Sequence, residues 1–103
     1  MNCKLIVSEL ANGDLDEIIG YIVNDLKSPG AAVALLDEIE KCYENLRTNP
    51  LMYEKCIDGR LKKEGYRKAV IKNYLLIYRF IEEINTVQVA RFFYGGSNYA
   101  DLI

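Results

Sequence analysis

Three arginines in the second half of the chain are the side chains best suited to chemistry. Arg67, Arg79 and Arg91 each fall in a separate run of β-branched and aromatic residues. A guanidinium group among apolar neighbours needs a carboxylate partner or an anionic ligand, because a buried unpaired charge is costly. Each arginine is therefore a candidate either for a structural ion pair or for a contact to a negatively charged target.

The composition argues against several other kinds of site. The chain has no histidine, the commonest general base and the commonest metal ligand. Cys3, Cys42 and Cys56 are far apart and form no CxxC pair, so we expect no metal, no cofactor and no disulfide framework. Unpaired cysteines are typical of a reducing cytoplasm. The apolar runs are too short for a signal peptide or a membrane span.

The net charge of -2 is unevenly distributed along the chain. Residues 1–54 hold four cations and ten acids, a net of -6. Residues 55–72 hold seven cations and two acids, a net of +5. Such a segment could contact a polyanion, or it could be a solvated loop and strand start.

Three strands must position the arginines. The runs 66–72, 73–83 and 86–94 are separated by short polar breaks, which predicts an antiparallel meander. Asn85 tolerates a positive φ and is the expected turn residue between the last two strands. Lys4–Val7 is a further short strand that we expect to join this sheet, and Ser8 can cap the helix after it.

Two amphipathic helices lie between the first strand and the meander. Ser28 and Pro29 suit the start of the second helix, and Pro50 favours its end. The apolar positions that define one face of each helix are Leu15, Ile18, Ile19, Ile22 and Leu26, then Ala32, Leu35, Leu36, Ile39, Tyr43 and Leu46.

The predicted order is β-α-α-β-β-β, an α+β fold in a single domain over residues 1–103. Residues 51–65 are predicted to be an irregular basic connection, with Met52 and Tyr53 tucked under it. A helical hairpin covers only one face of a sheet, so we expect the other face to meet solvent or a partner.

This order and two strand motifs resemble the RelE/ParE family, the toxins of type II toxin–antitoxin modules, which are often described as plasmid stabilisation proteins. The motifs are Asn73-Tyr74-Leu75-Leu76-Ile77-Tyr78-Arg79 and Val89-Ala90-Arg91-Phe92-Phe93-Tyr94-Gly95. The resemblance covers the whole chain. It implies an antiparallel sheet with an N-terminal helical hairpin on one face, a cytoplasmic location and a cognate antitoxin as partner.

The family's branches differ in target, and the residues favour one branch. RelE-like toxins cut mRNA in the ribosome with a basic cluster, whereas ParE-like toxins poison DNA gyrase. The first sheet cation of the RNA-cutting branch matches Arg67. The next two would fall at Ala69 and Leu75, and the basic cluster after the last strand at 94–97, which here reads Tyr-Gly-Gly-Ser. The resemblance is therefore closer to the ParE-like branch.

The chemistry of RNA cleavage agrees with this assignment. Attack by a 2′-hydroxyl needs a base, an acid and stabilisation of the developing charge. The arginines could stabilise charge and Tyr94 or Tyr99 could act as the acid, but an unperturbed tyrosine is a poor base at neutral pH. If the chain is a nuclease, its catalytic residues are Arg67, Arg91 and Tyr94. The acidic pI of about 5.1 also disfavours entry into a ribosomal cleft.

Three hypotheses remain. The chain is a toxin that inhibits gyrase by binding and is neutralised by an antitoxin, or a ribosome-dependent mRNA endoribonuclease, or an inactive toxin fold that serves as a binding module. An exposed apolar groove could form a homodimer when the antitoxin is absent. The residues predicted to bind target or antitoxin are Arg67, Lys68, Arg79, Arg91, Tyr94 and Tyr99.

Overall fold

A four-stranded sheet forms the centre of the molecule. The computed structural model describes residues 2–96 and 99–102. The sheet order is β1-β4-β3-β2, with β1 parallel to β4 and the other pairs antiparallel. The strands are β1 (Lys4–Val7), β2 (Arg67–Ile71), β3 (Tyr74–Ile81) and β4 (Thr86–Tyr94), and the helices are α1 (Glu9–Gly20), α2 (Pro29–Thr48) and α3 (Gly59–Lys63). This architecture confirms the predicted α+β fold.

The helical hairpin begins and ends at the expected residues. Ser8 caps α1 by accepting a hydrogen bond from the Ala11 amide at 3.0 Å, and it donates to the Ala90 carbonyl at 2.8 Å. Pro29 is the first residue of α2, as predicted. Between the helices, residues Tyr21–Asp25 form a π-helical turn. No helix in the described part of the chain is long and apolar enough to cross a membrane.

The two helical stripes pack on one face of the sheet, with two exceptions. Leu36 and Leu26 were predicted on the stripes, but both are exposed. Leu26 follows the π-helical turn, whose wider winding ends the α-helical spacing on which the prediction rested. The remaining stripe residues pack with Leu76, Tyr78 and Phe92 in the main core.

Part of the second face of the sheet is covered by the chain itself, which corrects the expectation that this face meets only solvent or a partner; Val70, on the same face, is 68% exposed. Cys56 and Leu61 from the connection after α2 are buried there against Leu75, Ile77 and Phe93. The connection is also not wholly irregular, because Asp58 accepts a hydrogen bond from the Leu61 amide at 3.1 Å and caps α3. Leu61 has a charged residue on each side, and Cys56 and Ile57 form no periodic pattern with it, so the sequence did not predict this cover. Met52 is exposed, contrary to prediction, whereas Tyr53 packs against the main core.

The hairpin of β3 and β4 contains a β-bulge and a left-handed turn residue. Ile77 is opposite Arg91 while Tyr78 is opposite Val89, so Ala90 is an additional residue in a β-bulge. The bulge lets Val89 and Phe92 both enter the main core. At the other end of the hairpin, Asn85 has a φ of 48°, as its turn role requires.

Candidate functional site

Arg91 is held by a carboxylate from α1. Its Nε donates to Asp14 Oδ2 at 2.7 Å and its Nη2 donates to Asp14 Oδ1 at 2.9 Å. These hydrogen bonds raise the pKa of the Arg91 guanidinium above its ordinary value. The guanidinium also lies 4.9 Å from the centre of the Phe93 ring. Arg91 therefore forms a structural ion pair, one of the two roles that its apolar surroundings predicted.

The same carboxylate closes an open edge of the sheet. β1 pairs with β4 only as far as Val89, so the later residues of β4 have no neighbouring strand on that side. α1 follows β1 directly and lies along this edge. Asp14 Oδ2 accepts a hydrogen bond from the Phe92 amide at 3.0 Å, in place of a strand carbonyl.

A groove of about 790 Å³ lies between α1, the π-helical turn and the ends of β3 and β4. We call it the α1 groove; it is lined by Asp14, Glu17, Ile18, Tyr21, Leu26, Asn73, Tyr74 and residues 91–94. Tyr94 is 60% exposed, and its ring meets that of Tyr74 edge to face at 5.9 Å. The groove is thus aromatic, with two carboxylates and one guanidinium at its wall.

Arg67 lies elsewhere and binds backbone. Its Nη1 donates to the Tyr53 carbonyl at 2.7 Å and to the Leu51 carbonyl at 3.4 Å. It lines a separate cavity of about 300 Å³ with Leu51, Lys55, Gly65, Phe80 and Glu82. Carbonyl groups of the connection after α2 therefore take the place of the carboxylate partner that a structural ion pair would have supplied.

Arg79 has two neutral partners. Its Nε donates to Gln88 Oε1 at 3.2 Å, and its guanidinium lies 5.1 Å from the centre of the Tyr66 ring. The strand register places Arg79 opposite Gln88 and Arg91 opposite Ile77. The two guanidinium groups therefore contact different partners, Gln88 and Tyr66 for Arg79 and Asp14 for Arg91.

Lys68 and Tyr99 lie together on the second face. Tyr99 stacks on Phe93 with ring centres 6.4 Å apart, and Lys68 Nζ is 6.0 Å from the centre of the Tyr99 ring. Burial raises the pKa of the Tyr99 hydroxyl, and the neighbouring Cys56 contributes to the same shift. A raised pKa keeps this tyrosine protonated at neutral pH, which suits packing and makes it a still poorer base.

The three candidate catalytic residues do not converge on one point. Arg91 and Tyr94 line the α1 groove, whereas Arg67 lines the other cavity. Ser97, which the family comparison also used, lies outside the described residues. Within residues 2–96 and 99–102, no cluster of cysteine and acidic side chains could hold a metal ion.

The sequence reasoning missed Asp14, Tyr21 and Tyr74 as site residues. Asp14 lies off the apolar face of α1, and nothing in its spacing indicates that it reaches Arg91 across 77 residues. Tyr74 belongs to an apolar strand run, which by itself is typical of a core position. A π-helical turn has no clear sequence signal, and this turn brings Tyr21 to the groove.

A match to a protein-family model identifies the family of this chain. The model described as the ParE toxin of the type II toxin–antitoxin system parDE matches residues 5–99. The chain belongs to the ParE toxin family. It is thus a toxin of the type II toxin–antitoxin class, as the strand motifs predicted.

Solved structures share the fold of this ParE-family toxin. A chain of the RelBE2 toxin–antitoxin complex from Mycobacterium tuberculosis matches with a TM-score of 0.63 and 22% identity, over 91% of this chain and 99% of that one. A chain of the chromosomal ParDE system from P. aeruginosa matches with a TM-score of 0.70 and 18% identity, over 89% of this chain and 95% of that one. Among curated proteins, none matches the sequence.

Proposed function

We propose that this toxin inhibits DNA gyrase by binding to it, and that a cognate antitoxin neutralises it. One observation carries the proposal: the sheet arginines are occupied by groups of the chain itself. Arg67 binds two carbonyls, Arg79 binds Gln88, and Arg91 binds Asp14. An arginine that stabilises a phosphorane must instead be free to aim its donors at the reacting phosphate.

The charge of the α1 groove also supports binding over RNA cleavage. Asp14 and Glu17 both line it; Arg91 compensates the charge of Asp14, so the wall keeps the negative charge of Glu17. A phosphodiester entering this groove would be repelled by Glu17. An apolar protein segment with a basic side chain fits the aromatic floor and the acidic wall better.

This complementarity makes the α1 groove our candidate surface for the antitoxin. The two solved relatives come from toxin–antitoxin systems, and one is described as a toxin–antitoxin complex. Tyr21, Leu26 and Tyr94 are exposed at the groove, and an antitoxin segment would remove their apolar surface from water.

Expression of the chain in bacteria without its antitoxin tests the proposal. We expect growth arrest, double-strand DNA breaks and induction of the SOS response, with loss of gyrase supercoiling by the purified toxin. Growth arrest with mRNA cut at ribosomal A-site codons would replace gyrase inhibition by endonuclease activity. Normal growth with soluble toxin present would leave only a binding module without toxic action.

A second candidate, RNA cleavage, has one observation in its favour. Arg91 and Tyr94 line the same groove, so a charge-stabilising group and an acid are in one place. Tyr94→Phe separates the two functions, because it removes the hydroxyl and keeps the ring. If the toxin is a nuclease, mRNA cutting should fall by about 10²-fold or more, the usual contribution of a general acid. A gyrase inhibitor should keep its activity in this variant.

A further inference from the structure

We propose that the basic surface formed by α3 and β2 binds the phosphate backbone of DNA while the toxin is bound to gyrase. This inference rests on the proposed function and adds that the toxin contacts the DNA duplex as well as gyrase in the gyrase–DNA complex. The α1 groove lies elsewhere, between α1 and the ends of β3 and β4.

The surface begins with the short helix α3. Its apolar residue, Leu61, is buried against the second face of the sheet. This packing fixes the orientation of the helix and leaves Lys62 and Lys63 exposed. Asp58, at the start of the helix, accepts a hydrogen bond from the Leu61 amide and is partly buried. The exposed part of α3 is thus predominantly cationic.

Backbone pairing brings further cations to the same region. Lys55 forms an isolated antiparallel bridge with Arg67 on β2. The Cys56 amide donates to the Tyr66 carbonyl at 3.0 Å, and the Lys68 amide donates to the Glu54 carbonyl at 3.1 Å. The segment before α3 therefore runs beside β2. Lys68, which pairs with Ile77, therefore faces the same side of the sheet as α3, whereas Lys55 and Arg67 face the other side at the same edge.

The lysines of this surface are available to a ligand. Lys62 and Lys63 are exposed, and neither is in the ion pairs that join Lys41 to Glu38, Arg47 to Glu44 and Arg91 to Asp14. Lys68 is half-buried beside the Tyr99 ring. The charges of Lys62 and Lys63 are compensated by solvent and salt, so binding to a polyanion would release counterions.

The distribution of charge favours DNA as the occupant. Duplex DNA carries about one negative charge per 1.7 Å of its axis, and exposed lysines suit contacts to phosphates that do not read sequence. Residues 1–54, which include α1 and α2, have a net charge of -6 and would be repelled by DNA. The α3 side is therefore the side with which the molecule is best suited to approach a duplex. Gyrase, the proposed target, acts on duplex DNA, so a duplex is present in the complex.

A pair of double variants with equal net charge tests the inference. Lys62→Gln with Lys63→Gln removes two charges from the surface, and Lys4→Gln with Lys41→Gln removes two exposed charges outside α3 and β2. Binding of each purified toxin to a fluorescein-labelled 30-base-pair duplex is measured by anisotropy over a range of salt concentrations. Binding to the isolated gyrase subunits, without DNA, is measured in parallel.

We expect the wild type and the control to bind the duplex with the same affinity and salt dependence. The α3 variant should bind at least about 10-fold more weakly at low salt, with a slope of log K against log salt that is smaller by about 2. Its affinity for gyrase subunits without DNA should be unchanged. Three results would each overturn the inference. The two variants could bind the duplex with equal affinity, or the wild type could fail to bind it. The wild type could also bind an acidic peptide of equal charge more tightly than the duplex. Loss of gyrase binding in every protein, with DNA binding retained, would instead contradict the proposed function.

Discussion

Asp14 joins α1 to the edge of β4 that β1 leaves unpaired. Its carboxylate accepts hydrogen bonds from the Arg91 guanidinium and from the Phe92 amide. The side chains of Asp14 and Arg91 are only 16% and 22% exposed, so water screens this pair little. The pair is therefore a structural clamp as well as one wall of the α1 groove.

We expect Asp14→Asn to lower the free energy of unfolding by about 1.5–3 kcal/mol, the range for hydrogen bonds to charged groups. The amide keeps the shape, but it lacks the charge and presents donors to Arg91. Urea unfolding followed by circular dichroism measures the change. Glu44→Gln is the matched control, because the exposed Glu44–Arg47 pair should be worth less than about 1 kcal/mol. Equal losses in the two variants would mean that the Arg91 clamp contributes no more than a surface pair.

Tyr78 links stability to pH. Its side chain is buried, its hydroxyl donates to the Pro50 carbonyl at 2.9 Å, and burial raises its pKa from 10.0 to about 12. The unfolded chain loses this proton near pH 10, whereas the folded chain keeps it until about pH 12. The stability contributed by the raised pKa is therefore complete below pH 10 and is lost as the pH rises to 12.

For Tyr78 this loss should be on the order of 2–3 kcal/mol across the interval. We expect Tyr78→Phe to flatten the decline of unfolding free energy between pH 10 and 12, although the variant is less stable at neutral pH. The exposed Tyr21→Phe is the control and should keep the wild-type slope. A Tyr78→Phe protein with an unchanged alkaline slope would contradict the assignment. Tyr43, whose pKa burial also raises to about 12, should account for much of the remaining decline.

At the scale of elements, the sequence predicted those helices and strands whose apolar residues recur at a regular spacing. The runs of β-branched and aromatic residues identified the three strands of the meander, and the spacing of the α2 stripe identified most of its buried side. α3 could not be predicted, since one buried leucine in five residues has no period. The clamp on Arg91 could not be predicted either, because it depends on the direction in which α1 leaves β1.

α3 is an element of the core despite its length. Leu61 is buried on the second face of the sheet, where it packs with Cys56, Ile77 and Phe93. We expect Leu61→Ala to cost about 2–5 kcal/mol, as for other leucines removed from a core. Ile57→Ala is the matched control, because Ile57 is 82% exposed and should cost less than about 0.5 kcal/mol. Chemical denaturation gives both values. A loss below about 1 kcal/mol for Leu61→Ala would show that α3 does not cover the sheet.

At the scale of the whole molecule, the basic and the acidic parts of the chain lie in different places. Residues 55–72, with a net of +5, contain α3, which packs on the second face of the sheet, and the edge strand β2. The acidic N-terminal half forms the helical hairpin and one wall of the α1 groove. A toxin with these properties can meet partners of opposite charge on separate surfaces, as we propose for a basic antitoxin segment in the α1 groove and DNA at α3. Such an arrangement also exposes apolar side chains whenever the groove is empty.

The empty groove leads to a prediction about the isolated toxin. Tyr21, Leu26 and Tyr94 are exposed around one cavity, and the acidic wall beside them repels a second copy at low salt. We therefore expect self-association that strengthens with salt, measured by sedimentation velocity over a range of protein concentrations. Leu26→Ser should weaken it severalfold. Ile57→Ser, which also removes an exposed apolar side chain but lies outside the groove, should leave it unchanged, and an equimolar antitoxin should abolish it. If both serine variants weaken association equally, the contact is general hydrophobic adhesion and the groove has no special role.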